Sequence, residues 1–323
     1  MKRTVEIVQP ATRDAPESVS VDDSCPACGS PLEEGWRLVG SDRLHGGEGR
    51  FEVRRCGSCG TGVTLPRATA NDLARFYPHE YGAYVPTTGA ITGLLSRVIV
   101  STQTRRALSQ PPLAAISQLP RGRVLDVGCG RGDLAAAFAT RGWQAVGIDP
   151  SAAACAAAAA KGVDARAGTL ATVELDANAY DAAYFQHSLE HSDDIRRDLE
   201  IVASALRPGG VLAVTVPNFA SWQRRRFGDR WYHLDLPRHR THFTEAGLAK
   251  ALGRAGFSTE STSSSTSTVG LPGTLQYTLF GRCLFPSGLP LRIATGLCLL
   301  QLPLARLLDH RGGDQLHAIA RAS

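Results

Sequence analysis

A short apolar strand that runs directly into a glycine-rich turn constrains the fold of this chain more than any other feature. The strand covers residues 123–127, and the turn reads Asp126-Val-Gly128-Cys-Gly130-Arg-Gly132. Glycines at this spacing permit positive φ angles and let the backbone approach a bound ligand closely, beside the start of the next helix. The sequence therefore predicts a strand, a tight turn and a helix, with a binding site at the turn.

From residue 121 onward, short apolar runs alternate with helical patterns. The sequence predicts strands over 123–127, 144–148, 180–186 and 211–216, one from residue 257, and a last strand over 314–322. Helices are predicted over 134–141, 151–161, 193–206 and 244–255. This alternation is typical of right-handed crossovers in a doubly wound parallel sheet. Residues 258–268 fit either a low-complexity linker or an exposed strand.

Two CxxC pairs precede this region, and they predict a small zinc-binding module. The four residues are Cys25, Cys28, Cys56 and Cys59, and a glycine follows each pair. Four thiolates form a closed tetrahedral site of the structural kind, and folding of so small a segment is coupled to the metal. Two redox dithiols, an empty site or iron are the alternatives.

The composition and the first residues indicate which binding partners and which cellular compartment to expect. The net charge is +5 and charged residues make up 20% of the chain. This surplus is too mild for a nucleic-acid-binding signature. Residues 1–20 carry no secretory signal, which favours the cytoplasm and metal ligation over disulfides.

Two further motifs sharpen the interpretation of the glycine-rich turn. Asp149 ends the second strand of the region, and a Pro-Gly-Gly turn at 208–210 precedes the strand over 211–216. Together with Leu125–Gly130, these features resemble the class I S-adenosylmethionine (SAM)-dependent methyltransferases over residues 121–323. The resemblance implies an α/β fold with a seven-stranded, doubly wound, Rossmann-like sheet. The alternative, an NAD-binding domain, expects its third glycine at position 133, which is aspartate.

The resemblance also implies which residues contact SAM at the carboxyl ends of the strands: Asp126, Gly128, Cys129, Gly130, Asp149, Gly168 and Gln186. Residues 126–130 would shape the methionine side of the pocket. Asp149 would hold the ribose, Gly168 would flank the adenine, and Gln186 with His187 would border the transferred methyl group.

The segment after residue 186 is the first candidate for the acceptor side. It reads Gln186-His187-Ser-Leu-Glu190-His191 and lies where open α/β sheets bind ligands. His187 is a candidate general base. Catalytic metal binding by this segment is a second hypothesis, and hydrogen bonds that merely fix the loop are a third.

The second candidate is the pattern W-x-x-x-D-x-P-R-H over residues 231–239. It resembles a methyltransferase subgroup that carries a zinc ribbon and is encoded with surface-polysaccharide and natural-product pathways. This implies a substrate-binding role for Trp231, Asp235 and Arg238, with His239 or His242 taking the proton. A salt-bridged loop that covers the sheet edge is the alternative.

We therefore divide the chain into a flexible tail (1–23), a zinc-binding module (24–66), a helical connector (67–120) and the methyltransferase domain (121–323). A hydrophobic insertion covers residues 270–313, but its stretch without charged residues is too short to span a bilayer. Peripheral contact with the inner face of the membrane, a homodimer contact and packing against the domain itself are the alternatives for it.

These observations predict SAM-dependent methyl transfer to a small-molecule, glycan or lipid-linked acceptor, at an oxygen atom. The alternative is an RNA methyltransferase that docks through its zinc ribbon, and a third hypothesis is a scaffold that binds SAM without catalysis.

Overall fold

The computed structural model describes residues 24–67, 75–77, 100–284, 303, 307 and 312–323, which form two sheets. Along the chain the strands are β1 (Leu32–Gly40), β2 (Phe51–Cys56), β3 (Gly62–Leu65), β4 (Arg123–Val127), β5 (Gln144–Asp149), β6 (Asp164–Ala167), β7 (Tyr180–Gln186), β8 (Leu206–Pro217), β9 (Thr241–His242), β10 (Phe257–Ser265) and β11 (Gln315–Ala322).

The larger sheet has seven strands in the order β10-β11-β8-β7-β4-β5-β6. The strands from β8 to β6 are parallel, whereas β11 is antiparallel to both of its neighbours. This confirms the predicted α/β fold with a mainly parallel seven-stranded sheet. The run of serines and threonines after residue 257 is the exposed edge strand β10, and not a linker.

Within the described residues the α-helices are α1 (Leu113–Ser117), α2 (Asp133–Ala139), α3 (Ala152–Ala159), α4 (Ile195–Ala205), α5 (Trp222–Phe227), α6 (Glu245–Arg254) and α7 (Gly270–Phe280). Residues 100–108 are also helical. Four of the helices begin at a side chain that accepts a backbone N–H of the first turn: Ser151 for α3, Asp194 for α4, Ser221 for α5 and Thr244 for α6. Such caps satisfy amides that have no partner inside the helix.

The core consists of apolar layers on the two faces of the large sheet. Side chains alternate between the faces along each strand, so Leu125 packs in one layer and Val124 in the other, and Leu212 and Ala213 divide in the same way. Because helices cover both faces, the central strands are buried over most of their length, for example from Val124 to Val127 and from Gly210 to Pro217. This places the carboxyl ends of β4, β5 and β7 at one edge of a rigid platform.

The smaller sheet joins the cysteine-bearing segment to the α/β domain. Its order is β1-β2-β3-β9, and β9 comes from the chain after β8. Val63 of β3 pairs with Thr241 of β9, and the amide of Thr64 donates to the carbonyl of Arg240 at 3.0 Å. The sequence patterns did not predict this sheet, since its last strand has only two residues.

Several sequence predictions lie outside the described residues: the tail 1–23, much of the connector and most of the insertion after residue 284. Helix α7 lies in the described part of that insertion, which comprises residues 270–284, 303, 307 and 312–313. Among the described residues, none of the helices combines the length and the hydrophobicity that crossing a bilayer requires.

Candidate active site and cysteine cluster

The glycine-rich turn after β4 requires glycine at two positions. Gly128 has φ +78°, and a Cβ atom there would lie 2.4 Å from Cβ of Ser188. Gly132 has φ +69°, and a Cβ atom there would lie 2.6 Å from Cβ of Ala158. Both the backbone conformation and the close neighbours exclude a side chain. The turn therefore sits tightly between the segment after β7 and helix α3.

Asp149, at the end of β5, holds this turn in place. Its Oδ2 accepts the amide of Gly130 at 2.9 Å, and its Oδ1 accepts the amide of Ser151 at 2.9 Å. Burial raises the pKa of Asp149, and the two backbone N–H groups oppose that shift. The carbonyl of Asp149 accepts the amide of Gly168 at 2.9 Å. The structure thus brings together the predicted contacts Gly128, Gly130, Asp149 and Gly168.

Asp126 and Cys129 lie deeper than the turn itself. Burial raises the pKa of Asp126 to about 7, although the Tyr184 hydroxyl donates to its Oδ2 at 2.7 Å. Burial likewise raises the pKa of Cys129, whose Sγ faces the carbonyl of Gly130. Gln186 is the last residue of β7. Because β7 is the neighbour of β4 in the sheet, this residue lies at the same edge as the glycine-rich turn that follows β4. Direct contact of these three with SAM stays a prediction.

His187 follows β7 directly and is the most accessible of the predicted bases. Its side chain is 31% exposed, and its Nδ1 lies 3.5 Å from Oε1 of Glu190. Its Nε2 lies 2.8 Å from the amide nitrogen of Gln315. Because an amide nitrogen only donates, Nε2 is the acceptor and Nδ1–H faces the carboxylate. The ring is thereby oriented by a carboxylate on one side and an amide on the other.

Glu190 is a buried carboxylate between imidazoles. It is 1% exposed, and apart from the 3.5 Å approach of His187 Nδ1, neither of its oxygens has a hydrogen-bond partner among the described residues. Nε2 of His239 lies 3.9 Å from Oε1. Burial acts to raise the pKa of Glu190, but His187, His239 and His191 outweigh it and lower the pKa to about 2. The sequence offers Glu190 for metal binding by this segment or for fixing the loop, but nothing in the local pattern shows its burial.

His239 and His242 are both buried, in contrast to His187. Nδ1 of His239 lies 2.9 Å from the carbonyl of His233, and burial together with nearby His191 lowers the pKa of His239 to about 4. Nε2 of His242 lies 2.9 Å from Oγ1 of Thr64, and burial lowers the pKa of His242 to about 3. A role for either ring as the base stays a prediction.

The sequence did not reveal two hydrogen-bond partners of the candidate bases, Thr64 for His242 and Gln315 for His187. Both are distant from these histidines along the chain.

The three predicted substrate contacts lie in the interior. Trp231 is fully buried, and its indole nitrogen has no hydrogen-bond partner in the described part of the chain. Arg238 is also fully buried, and its guanidinium donates to both oxygens of Asp42, to Asp235 and to the carbonyl of Phe76. Arg238 also lowers the pKa of Asp235, against the effect of burial. Substrate binding by Trp231, Asp235 and Arg238 stays a prediction; in the structure Asp235 and Arg238 form part of a buried ion network.

The two CxxC pairs converge on one point. Sγ of Cys25 lies 3.7 Å from Sγ of Cys59, Sγ of Cys28 lies 3.5 Å from Sγ of Cys56, and all four lie within 4.8 Å of one another. Bonds of about 2.3 Å to a tetrahedral ion separate the sulfur atoms by roughly 3.8 Å. In each pair, the amide of the glycine after the second cysteine donates to the carbonyl of the first. The four cysteines therefore fit a four-thiolate metal site.

A sheet of this order, with a glycine-rich turn after β4 and a carboxylate at the end of β5, defines the class I Rossmann-like methyltransferase fold. Residues 101–262, half of the chain, match a family model described as a methyltransferase domain. The chain belongs to this family of methyltransferase domains.

Similar proteins agree with this assignment. A ubiquinone biosynthesis O-methyltransferase from Bradyrhizobium is 37% identical over 102 residues, which is 30% of this chain and 40% of that protein. A trans-aconitate 2-methyltransferase from Deinococcus radiodurans is 36% identical over 115 residues, 35% of this chain and 45% of that protein. The matches thus span less than half the length of these relatives.

Among solved structures, a SAM-dependent methyltransferase from Thermotoga maritima, described as a possible histamine N-methyltransferase, is 18% identical with a TM-score of 0.45. That match covers 65% of this chain and 86% of the other.

Proposed function

We propose that this enzyme methylates a hydroxyl oxygen of a small-molecule, glycan or lipid-linked acceptor, with His187 as the general base. The observation that carries the proposal is the Glu190–His187–Gln315 arrangement at the end of β7. Relatives named as O-methyltransferases support oxygen as the methylated atom. Nothing in these relatives favours the alternative of an RNA methyltransferase.

The sulfonium of SAM supplies a methyl group that is already activated for transfer. The chain's own residues bind, align and deprotonate. The turn from Gly128 to Gly132 offers its backbone to the cofactor, and Asp149 keeps the turn rigid through Gly130. Alignment of acceptor and donor accounts for much of the rate in such reactions.

His187 would take the acceptor proton at Nε2. In the structure Gln315 donates to this nitrogen, so an acceptor hydroxyl would replace the amide. Glu190 then faces the protonated Nδ1 and stabilises the imidazolium, as a carboxylate does for a catalytic histidine. His187 suits this role better than His239 or His242, because both of those rings are buried.

The test is a methyl-transfer assay with isotopically labelled SAM and a panel of phenolic, glycan and lipid-linked acceptors. His187→Gln should lower kcat by about 100-fold, the usual weight of a general base, with the Kd for SAM unchanged. The matched control is Glu200→Gln, an exposed position on α4 that pairs with Arg196. Full turnover in His187→Gln would mean that the base lies elsewhere.

We also propose that Cys25, Cys28, Cys56 and Cys59 hold one structural zinc ion. Its support is the convergence of the four sulfur atoms and the packing of the module against α6. Oγ1 of Thr244 donates to the carbonyl of Cys59 at 2.6 Å, and Nζ of Lys250 lies 2.9 Å from Oγ of Ser58. With all four positions taken by thiolates, the ion has no open position for substrate.

The zinc module would in turn support the acceptor side. Its Asp42 binds Arg238, and the carbonyl of Arg238 accepts from Nδ1 of His191 at 3.0 Å. We infer that the module orients the segment 231–242 over the site. Contact of the insertion with a membrane surface or with a second copy stays a prediction, as does the cytoplasmic location. The large apolar side chains that it exposes are Leu279, Phe280, Leu284 and Leu307.

A further inference from the structure

We propose that Glu190, His191 and His239 bind a divalent first-row transition-metal ion, separate from the four-cysteine site. One nitrogen of each ring and one oxygen of Glu190 lie within 4.8 Å of one another. Two imidazoles and one carboxylate are a ligand set that such ions favour. The proposed site has two ligands from the turn after β7 and one from the segment 231–242.

The hydrogen bonds that His191 and His239 make through Nδ1 leave the other nitrogen of each ring as an acceptor that can bind a metal ion. Nδ1 of His191 lies 3.0 Å from the carbonyl of Arg238, and Nδ1 of His239 lies 2.9 Å from the carbonyl of His233. A carbonyl only accepts, so each Nδ1 carries the proton of the neutral ring. Nε2 of each ring then carries an unshared electron pair. Histidines that bind metals are held in this way, with the second ring nitrogen donating to a carbonyl.

Glu190 supplies the second, independent observation. Its carboxylate is 1% exposed, and among the described residues neither oxygen accepts a hydrogen bond of ordinary length, because Nδ1 of His187 stays 3.5 Å from Oε1. A buried carboxylate without hydrogen bonds costs several kcal/mol of desolvation unless a cation or a donor meets it. Nε2 of His239 faces Oε1 of Glu190 at 3.9 Å as a second acceptor. Two acceptors that face each other across this distance call for a cation between them.

The size of the gap also fits an ion. Metal bonds of about 2.0–2.2 Å place neighbouring ligand atoms of a tetrahedral ion roughly 3.4 Å apart. Oε1 of Glu190 and Nε2 of His239, which lie 3.9 Å apart, would therefore approach by only about 0.5 Å on binding. Tyr77 lies close by, with its hydroxyl oxygen 3.0 Å from Nδ1 of His191.

The position of the site gives the ion a chemical role, and this part of the inference rests on the proposed function. Ser188 lies in the same turn as Glu190. It packs against Gly128 of the glycine-rich turn and donates to the carbonyl of Val127. An acceptor hydroxyl bound to the ion would lose its proton more readily. The proton passes to His187, the oxygen forms a bond to the methyl carbon, and the electron pair of the broken C–S bond stays on sulfur.

The test counts metal in the zinc-loaded full chain. Titration with Co²⁺ should reach one further equivalent per chain, with a visible spectrum that lacks thiolate-to-cobalt charge transfer. Glu190→Gln and His239→Gln should each weaken Co²⁺ binding by about 100-fold or more, since even loss of a supporting partner costs 10- to 100-fold. Glu200→Gln is the matched control and should bind like the wild type.

Folding of the variants is checked by the thermal melt. Co²⁺ should raise the Tm of the wild type but not that of Glu190→Gln, because an ion stabilises only a state that binds it. No further equivalent in the wild type, or equal affinity in Glu190→Gln, would overturn the metal site. Methyl transfer by ion-free protein would leave the proposed function intact and remove the ion's chemical role. Metal binding without methyl transfer to any acceptor would support the metal site and contradict the proposed function.

Discussion

Arg238 donates to Asp42 from both terminal nitrogens, at 3.0 and 2.8 Å, although the two residues are 196 positions apart in the chain. The pair is fully buried on both sides. It joins the cysteine-bearing segment to the segment that carries His239. Because Asp42 also accepts backbone amides of Leu44, His45 and Gly47, it fixes its own loop at the same time.

Asp42→Asn should therefore destabilise the protein markedly. Removing one partner of a buried ion pair costs about 3–5 kcal/mol, and the remaining contact of Arg238 with Asp235 places the loss near the lower end. The free energy of unfolding in urea measures it. Glu200→Gln, which breaks an exposed pair, should cost under about 1 kcal/mol. Equal losses in the two variants would contradict a structural role for the buried pair.

Gly128→Ala should abolish measurable SAM binding. The new Cβ atom would lie 2.4 Å from Cβ of Ser188, at a backbone φ of +78° that alanine rarely adopts. Isothermal titration with SAM gives the Kd, and we expect a loss of at least 100-fold. The control is Gly253→Ala on α6, where a Cβ atom would meet none of the described residues within 4 Å and alanine favours the helix. Gly253→Ala should bind SAM normally and melt no earlier than the wild type.

Acid should destabilise the fold between pH 6.5 and about 4. Burial lowers the pKa of His317 to about 4 and that of His242 to about 3, from an ordinary value of 6.5. In this window the unfolded chain binds more protons, so stability falls as the pH falls, by up to roughly 1.4 kcal/mol per pH unit for each ring.

Asp126 opposes this slope in part. Burial raises its pKa from 3.8 to about 7, so its contribution is present at low pH and is lost as the pH rises towards 7. Urea unfolding at pH 7, 6 and 5 gives the net slope. His317→Asn should reduce the loss of stability on acidification, and Asp126→Asn should increase it. An unchanged slope in both variants would rule out these groups as its origin.

Cys56→Ser should release the proposed zinc ion and lower the Tm. A site with three thiolates binds the ion more weakly, and folding of the small module depends on the ion. Zinc per chain, measured by elemental analysis after dialysis, should fall from about one towards zero. Cys283→Ser is the control, because Cys283 lies outside the cluster, and it should keep its zinc. Full metal content in Cys56→Ser would refute the four-thiolate site.

Features with a local physical cause could be predicted from the sequence. The glycines of the first turn and the caps Ser151 and Thr244 act within a few residues of themselves, so short patterns identify them. The same holds for the alternation of strands and helices that defines the seven-stranded sheet.

Features that depend on distant partners could not be predicted. Strand β9 has two residues, and only its pairing with β3 makes it a strand. Arg238 lies in a motif typical of substrate binding, but the structure gives its guanidinium partners inside the protein. The burial of Glu190 follows from the packing of three segments, and no pattern within residues 187–191 contains that information.

The pairing of β3 with β9 has a consequence for inheritance. Residues 24–67 and the α/β half each supply strands to one sheet, and the guanidinium of Arg238 has its carboxylate partner Asp42 in the other half. Recombination that transferred only one half would leave an open strand edge and a buried cation with only one of its two carboxylate partners. We therefore expect the two halves to descend as a single unit, with changes at one side of β3–β9 accompanied by changes at the other.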